Sequence, residues 1–210
     1  MQPIFITGIG TGIGKTLVSA IVTEALGGQY WKPVQAGFDD GTDAGWVGER
    51  IGMKKIVPEL YRLKLPASPH IAAREQGIEI DLDRIAAAMP EIRPLVVEGA
   101  GGLLVPLNGR QFVLDLIQRL DATVILVSRN YLGSINHSLL TAEVCRMHGL
   151  RVAGWIFNDQ YLHYEQEIVE WSGIPHLGSV PFGKVPGVEF VAGQAQKIGP
   201  ALRSALGINH

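Results

Sequence analysis

Lys15 and Thr16 end the run Gly8-Ile9-Gly10-Thr11-Gly12-Ile13-Gly14-Lys15-Thr16, which follows the apolar stretch Ile4 to Thr7 and precedes a helical pattern. A run of this kind does phosphate chemistry. Glycines let the backbone curl until several N–H groups converge on phosphate oxygens, and the start of the following helix adds its positive dipole end. From such a loop the Lys15 ammonium reaches a transferable phosphate, and the Thr16 hydroxyl can ligate Mg2+. The common form of this P-loop reads Gly-x-x-x-x-Gly-Lys; here one residue more separates Gly8 from Gly14, and Ile9 fills the usual glycine position. A dinucleotide loop fits less well, because the glycines match Gly-x-Gly-x-x-Gly imperfectly and no acidic residue ends the second strand to hold a ribose.

Further groups could complete such a site. Leu95-Val96-Val97-Glu98 is apolar until its last residue and opens into Gly99-Ala100-Gly101-Gly102. Glu98 is therefore expected to face the crevice and hold Mg2+ or its water shell, the alternative being a strand-end acid in solvent. Asp43, in Gly41-Thr42-Asp43-Ala44, fits a metal ligand and a helix cap about equally. Lys32, in Trp31-Lys32-Pro33-Val34, closes the second strand, where an ammonium is costly unless it emerges into a polar crevice or meets an anion. There it would add a second positive charge to that of Lys15; snorkelling to solvent is the competing reading. Asn158-Asp159 follows Trp155-Ile156-Phe157, where an amide can read a base edge or simply make a turn. The six histidines, His70, His137, His148, His163, His176 and His210, show no paired metal-ligand spacing; His70 and His137 sit where loop meets helix and suit a cap or a ligand contact.

The elements that must position these groups alternate. Ile4 to Thr7, Tyr30 to Val34, Leu95 to Glu98, Thr123 to Ser128, Val152 to Phe157 and His176 to Val180 read as buried parallel strands. Between them, Lys15 to Leu26, Asp81 to Met89, Phe112 to Leu120, Ile135 to His148 and Tyr164 to Ser172 repeat apolar residues at helical spacing. This order predicts an α/β three-layer sandwich with a mainly parallel central sheet and a ligand crevice at the carboxyl ends of the strands. The second strand is expected beside the first. Gln35 to Ile80, punctuated by Gly, Asp and Pro, reads as loops and short helices of a lid or substrate region.

Composition narrows the classes. With 210 residues, 47% of them hydrophobic and 18% charged, the chain can bury a substantial core, and one domain over residues 1–210 is expected. A formal charge of -2 offers no broad basic surface for nucleic acid. Cys145 is the single cysteine, so neither an internal disulfide nor a structural zinc site is expected, which suits a reducing cytoplasm. Met1 to Thr7 is too short for a secretory signal and precedes the first basic residue, and no stretch approaches the ~20 apolar residues of a membrane span.

Thr7-Gly8 to Thr16, Lys32-Pro33-Val34, Thr42-Asp43-Ala44, Ser68-Pro69-His70, Val97-Glu98-Gly99-Ala100-Gly101-Gly102, Gly133-Ser134-Ile135-Asn136-His137, Gly154-Trp155-Ile156-Phe157-Asn158-Asp159 and Leu177-Gly178-Ser179-Val180-Pro181 together resemble the dethiobiotin synthetase family, ATP-dependent carboxylases of biotin synthesis. The resemblance runs in order over most of the chain. It implies a P-loop NTPase-type fold and a homodimer in which Mg2+, ATP, CO2 and 7,8-diaminononanoate meet near the subunit interface. Gly12, Ile13, Gly14, Lys15, Thr16 and Leu17 would wrap the phosphates, and Thr16, Asp43 and Glu98 would hold Mg2+. Gly99, Ala100 and Gly101 would border the nucleotide, while Asn158, Asp159, Pro181, Phe182 and Gly183 would line the base and ribose. Lys32 would be the catalytic lysine beside Lys15. Thr11, Lys15, Lys32 and Ala36 would face the substrate, with Asn136 and Tyr164 binding its carboxylate tail from the neighbouring subunit.

The chain departs from that family at three places. Gly10 stands where the loop usually carries Asp, so any polar duty of that acid is absent. Gln35-Ala36-Gly37 offers backbone at Ala36 where a Ser or Thr side chain often serves the substrate. The late loop Pro181 to Val188 lacks the acid expected near the ribose, with Val188 or Glu189 falling there. The rival from another class is a switch-type ATPase of the chromosome-partitioning or division-site kind, but its early signature lysine would fall at Gly10. A nearer rival is another ATP-dependent amide or carboxyl-activating ligase.

Overall fold

The computed structural model describes residues 1–39, 41–159, 162–183 and 186–208; His210 and part of the late loop lie outside them. The elements follow in chain order: β1 (Ile4–Gly8), α1 (Lys15–Leu26), β2 (Gln29–Trp31), β3 (Val34–Ala36), α2 (Asp43–Ile51), a 3-10 turn (Met53–Lys55), β4 (Ile56–Val57) and β5 (Tyr61–Leu63). Then come α3 (Pro69–Glu75), α4 (Leu82–Ala87), β6 (Leu95–Glu98), α5 (Val113–Arg119), β7 (Thr123–Arg129), α6 (Ser134–Met147), β8 (Val152–Asn158), α7 (Glu165–Ser172), β9 (His176–Val180) and α8 (Val188–Ala205). Among the described residues no helix is long and apolar enough to cross a membrane.

The main sheet runs β4-β2-β6-β1-β7-β8-β9, with every ladder parallel. Side chains alternate across it and seed two cores. Phe5, Trp31, Val97, Val124, Leu126, Trp155 and Phe157 point to one side, against residues of α3 to α7. Ile4, Ile6, Tyr30, Val96, Ile125, Val127 and Ile156 point to the other, against α1, α2 and α8. This is the three-layer α/β sandwich expected, with both faces of a parallel sheet covered.

Three expectations need correction. The stretch Tyr30 to Val34 is not one strand: Pro33 has no N–H for a ladder, β2 stops before it, and β3 leaves to pair with β5 in a separate small sheet. The Pro33 carbonyl instead accepts from the N–H groups of Leu60 and Tyr61, at 3.1 and 2.9 Å. Nor does β2 lie beside β1. The strand β6, buried along its whole length, fills the place between them, which suits an apolar segment better than the three-residue β2 bordering the edge. Finally, Gln35 to Ile80 holds strands β4 and β5 as well as helices.

The longest helix, α8, escaped the reading of helical segments. Its buried residues Val191, Gln194, Ala195, Ile198 and Leu202 keep helical spacing, but Gly193, Gly199 and Pro200 break up the apolar pattern. It packs along α1, and Arg203 donates to the Ala25 carbonyl at 2.6 Å.

Candidate active site

The loop after β1 curls back over the sheet because its glycines go where side chains cannot. A Cβ on Gly8 would lie 2.1 Å from the Val127 carbonyl oxygen. Gly14, at φ +89, would put one 1.8 Å from Asn158 Nδ2. Gly14 is the N-cap of α1 and gives it no side-chain cap, and the first turn carries no acid. The free N–H groups there thus suit an anion. Lys15 is 7% exposed, and its Nζ donates to the Gly10 carbonyl at 2.6 Å. Burial lowers its pKa to about 8, Glu98 and Asp43 working against that fall and Lys32 adding to it.

Below the loop, three elements bring acids and a lysine together. Thr16 Oγ1, in the first turn of α1, lies 2.8 Å from Asp43 Oδ1 and 3.0 Å from Glu98 Oε1, so its single proton serves both. Lys32 Nζ donates to Glu98 Oε1 at 3.0 Å and to Asp43 Oδ2. Burial opposes the Lys32 charge, but Glu98 and Asp43 outweigh it and hold its pKa above the ordinary lysine value. Burial likewise pushes Asp43 up, while Lys32 and the hydrogen bonds from Lys32, Thr16 and Gln35 bring it below the usual carboxylate value. Lys32 therefore does not snorkel; it is 7% exposed and paired. Asp43 is the first residue of α2, and Thr42 is the cap, accepting from Gly45 N at 3.0 Å.

A cavity of about 690 Å3 opens over these groups, lined among others by Thr11, Gly12, Gly14, Lys15, Thr16, Lys32, Ala36, Asp43, Glu98, Ala100 and Gly101. Its donors fit Mg2+ carried on phosphates: one hydroxyl and two carboxylates on a single spot, which a cationic ammonium already bridges. Among the described residues no group of three or more His, Cys, Asp or Glu side chains offers an all-protein cage.

Other expected residues lie outside that cavity. Asn158 ends β8 opposite Val180 of β9, so Asn158, Asp159 and Pro181 to Gly183 form one corner behind the P-loop. Phe182 is 68% exposed there. Leu17 and Ile13 turn their side chains into the core. Tyr164 and Asn136 lie at a different corner, by the start of α6: the Tyr164 hydroxyl donates to the Tyr131 carbonyl at 2.8 Å and lies 2.7 Å from Ser134 Oγ, while Asn136 is exposed. His70 pairs with Ser68 Oγ and His137 with Tyr131 Oη.

Sequence reasoning missed four contributors. Gln35, 6% exposed, accepts from Asp43 N at 3.3 Å and donates to the Gly37 carbonyl at 2.8 Å. Arg129 holds Asp159 at 3.1 Å, and Arg50 ties α2 to the Pro186 carbonyl at 2.8 Å. Tyr30 donates to Glu98 Oε2 at 2.9 Å. Only Tyr30 had a local signal, a polar-tipped aromatic beside Trp31 and two residues before Lys32.

A family model described as an AAA domain matches residues 2–185. A dethiobiotin synthetase of Cytophaga hutchinsonii is 52% identical over 160 residues, covering 75% of this chain and 77% of that protein. One of Rhodopseudomonas palustris strain HaA2 is 46% identical over 184 residues, covering 86% and 85%. The chain belongs to the ATP-dependent dethiobiotin synthetase family. Solved structures similar to it include the MinC:MinD cell division protein complex of Aquifex aeolicus (TM-score 0.59, 14% identity, 100% of this chain and 98% of that one). A ParA family ATPase of Chlorobium tepidum is also similar (TM-score 0.57, 15% identity, 99% and 98%). At such identity these share the P-loop NTPase fold, whereas the match to the dethiobiotin synthetases extends through sequence over most of the chain.

Proposed function

We propose that this ligase closes the ureido ring of dethiobiotin from 7,8-diaminononanoate, CO2 and ATP, releasing ADP and phosphate, and that residues 1–210 act as one domain. The observation that carries this reading is the convergence of Lys15, Thr16, Lys32, Asp43 and Glu98 on one cavity in a chain of this family. One amine of the diamine adds to CO2 and loses a proton, giving a carbamate. A carbamate oxygen then attacks the terminal phosphorus of ATP, and ADP leaves. The second amine attacks the activated carbonyl carbon, loses a proton and expels phosphate.

Every step builds or moves negative charge, and this chain's cations and N–H groups stand where it develops. The free N–H groups at the start of α1 cradle the phosphates while Lys15 turns from the Gly10 carbonyl to the transferred group. Lys32 neutralises the carbamate and the phosphoryl oxygens beside it. Thr16, Asp43 and Glu98 would hold Mg2+, which when bound would supply charge neutralisation on the phosphate oxygens. Thr11 and the backbone at Ala36 line the diamine's path, and Asn158 with its neighbours borders the base. No side-chain nucleophile is needed.

Asn136 is exposed on the first turn of α6, and Leu104 and Leu140, each 56% exposed, flank the same side. A homodimer burying that side would let Asn136 and Tyr164 hold the carboxylate tail of substrate in the partner's cavity. Cys145, buried with its thiol pushed up to about 12 by that burial, suits a cytoplasmic enzyme.

The test is phosphate release from ATP with and without the diamine and bicarbonate, with dethiobiotin followed by mass spectrometry. Phosphate release indifferent to the diamine would return the chain to the switch-type ATPases.

A further inference from the structure

We propose that Tyr30 is a positioning residue that dictates which oxygen of Glu98 meets the metal; this rests on the reading of Glu98 as a Mg2+ ligand. Strands β2 and β6 pair with Tyr30 opposite Val96, so side-chain alternation puts Tyr30 and Glu98 on the same face of the sheet. There Tyr30 is fully buried, and its hydroxyl donates to Glu98 Oε2 at 2.9 Å. Glu98, itself 1% exposed, turns its other oxygen to the crevice, where Thr16 Oγ1 and Lys32 Nζ both lie 3.0 Å from Oε1. The two oxygens have separate duties.

The separation has a physical cause. A glutamate's terminal torsion is broad, so a carboxylate at a strand end can present either oxygen or both unless a partner fixes it. A buried carboxylate oxygen also needs a donor. The phenol meets both needs from inside the sheet, and being neutral it adds no second cation to compete with the metal. Its ring is set by the surrounding core, so the hydroxyl is carried by a rigid element. Tyr30→Phe keeps that packing and leaves Oε2 without its donor; the carboxylate is then held from the crevice side alone, by Thr16 and Lys32, and the crevice loses a ligand fixed from behind.

The test is direct metal binding. Free Mn2+ is measured by electron paramagnetic resonance during titration of the parent, Tyr30→Phe and Trp31→Phe, each with saturating ADP. Trp31 is a control, because it points to the opposite face and its indole N–H donates to the Pro58 carbonyl. The expected result is Mn2+ binding weakened about tenfold in Tyr30→Phe, unchanged in Trp31→Phe, with metal-free ADP affinity at the parental value in both. A Tyr30→Phe titration that superimposes on the parent's overturns the inference. Tyr30→Leu, which also lacks the donor, serves if the phenylalanine variant does not fold; failure of both to fold makes Tyr30 a structural residue and equally overturns it. Because Mn2+ binding needs no turnover, a parent that binds Mn2+ but makes no dethiobiotin would defeat the proposed reaction and leave the role of Tyr30 standing.

Discussion

The side-chain amide of Asn158 donates to the carbonyl oxygen of Ile13 at 3.0 Å, and the same amide nitrogen fills the space a Cβ on Gly14 would need. The end of β8 is thereby locked to the glycine loop, which couples the corner proposed to border the base to the proposed phosphate cradle. Asn158→Asp would set a carboxylate against the Ile13 carbonyl in place of a donor, at a cost of about 1–3 kcal/mol. Calorimetry should show ATP binding weakened at least tenfold. Gly14→Ala adds both a collision and a left-handed φ, and should abolish ATP binding while the protein still melts cooperatively.

Lys15 is expected to make nucleotide binding depend on pH. Its folded-state pKa of about 8 lies below the ordinary 10.5. Below pH 8 the lysine is charged in both folded and unfolded chains. Between those values the unfolded chain carries the proton that the folded one has released, so stability gains from this group as pH rises through that window. Phosphates restore the charge, so ATP binding above pH 8 should take up a proton, and Kd should rise by as much as about tenfold per pH unit. Calorimetry at pH 9 in buffers of different ionisation enthalpy measures the uptake; a value of zero would contradict the assignment.

Lys32→Gln should separate binding from chemistry. The nucleotide cradle is untouched, so ATP affinity measured with excess Mg2+ should stay near the parent's while dethiobiotin formation falls by orders of magnitude. Without metal the variant leaves Glu98 and Asp43 facing each other with no cation bonded to both. The melting temperature should drop, reflecting up to about 3–5 kcal/mol for one lost partner of a buried pair, and Mg2+ should restore part of it. Parental product formation would show that Lys32 is an ion-pair partner and no more.

Asp43→Asn and Glu98→Gln each replace an anionic oxygen with a neutral one, and each should raise the Mg2+ concentration needed for half-maximal activity. Activity titrated against Mg2+ checks this. Curves that overlay the parent's would make both acids structural.

Ala36→Ser should return a hydroxyl to the cavity wall and lower the KM for the diamine, with kcat changed little. Gly10→Asp should be tolerated, since a Cβ there meets nothing within 4 Å and its φ is not left-handed. Its melting temperature should match the parent's to within the effect of about 0.5 kcal/mol. A large loss would show that Gly10 is needed for the Lys15 contact to its carbonyl.

The chemistry-bearing residues were legible because their signals are local. A strand, a glycine loop, Gly-Lys-Thr and a helix follow one another within Ile4 to Leu26, and Glu98 is an acid at the end of an apolar run. The proline at 33 carried a local warning too, since a residue without an N–H cannot sit inside a central strand. The lysine's fate was not local. Lys32 is buried and paired, and does not snorkel, because Asp43 starts α2 and Glu98, 66 positions later, ends the neighbouring strand.

By itself, then, the sequence determined which residues could do phosphate chemistry, that strands and helices alternate, and that the strands lie buried in a parallel sheet, because hydrophobic period, glycine freedom and proline's missing donor act within a few residues. Tertiary structure alone decided that β6 lies between β2 and β1, that Thr16 shares its proton between acids 27 and 82 positions away, and that Tyr30 and Gln35 support the carboxylates. Those outcomes depend on strand order and register, and many orders satisfy the same local pattern. Only the simultaneous packing of two cores on one sheet selects among them.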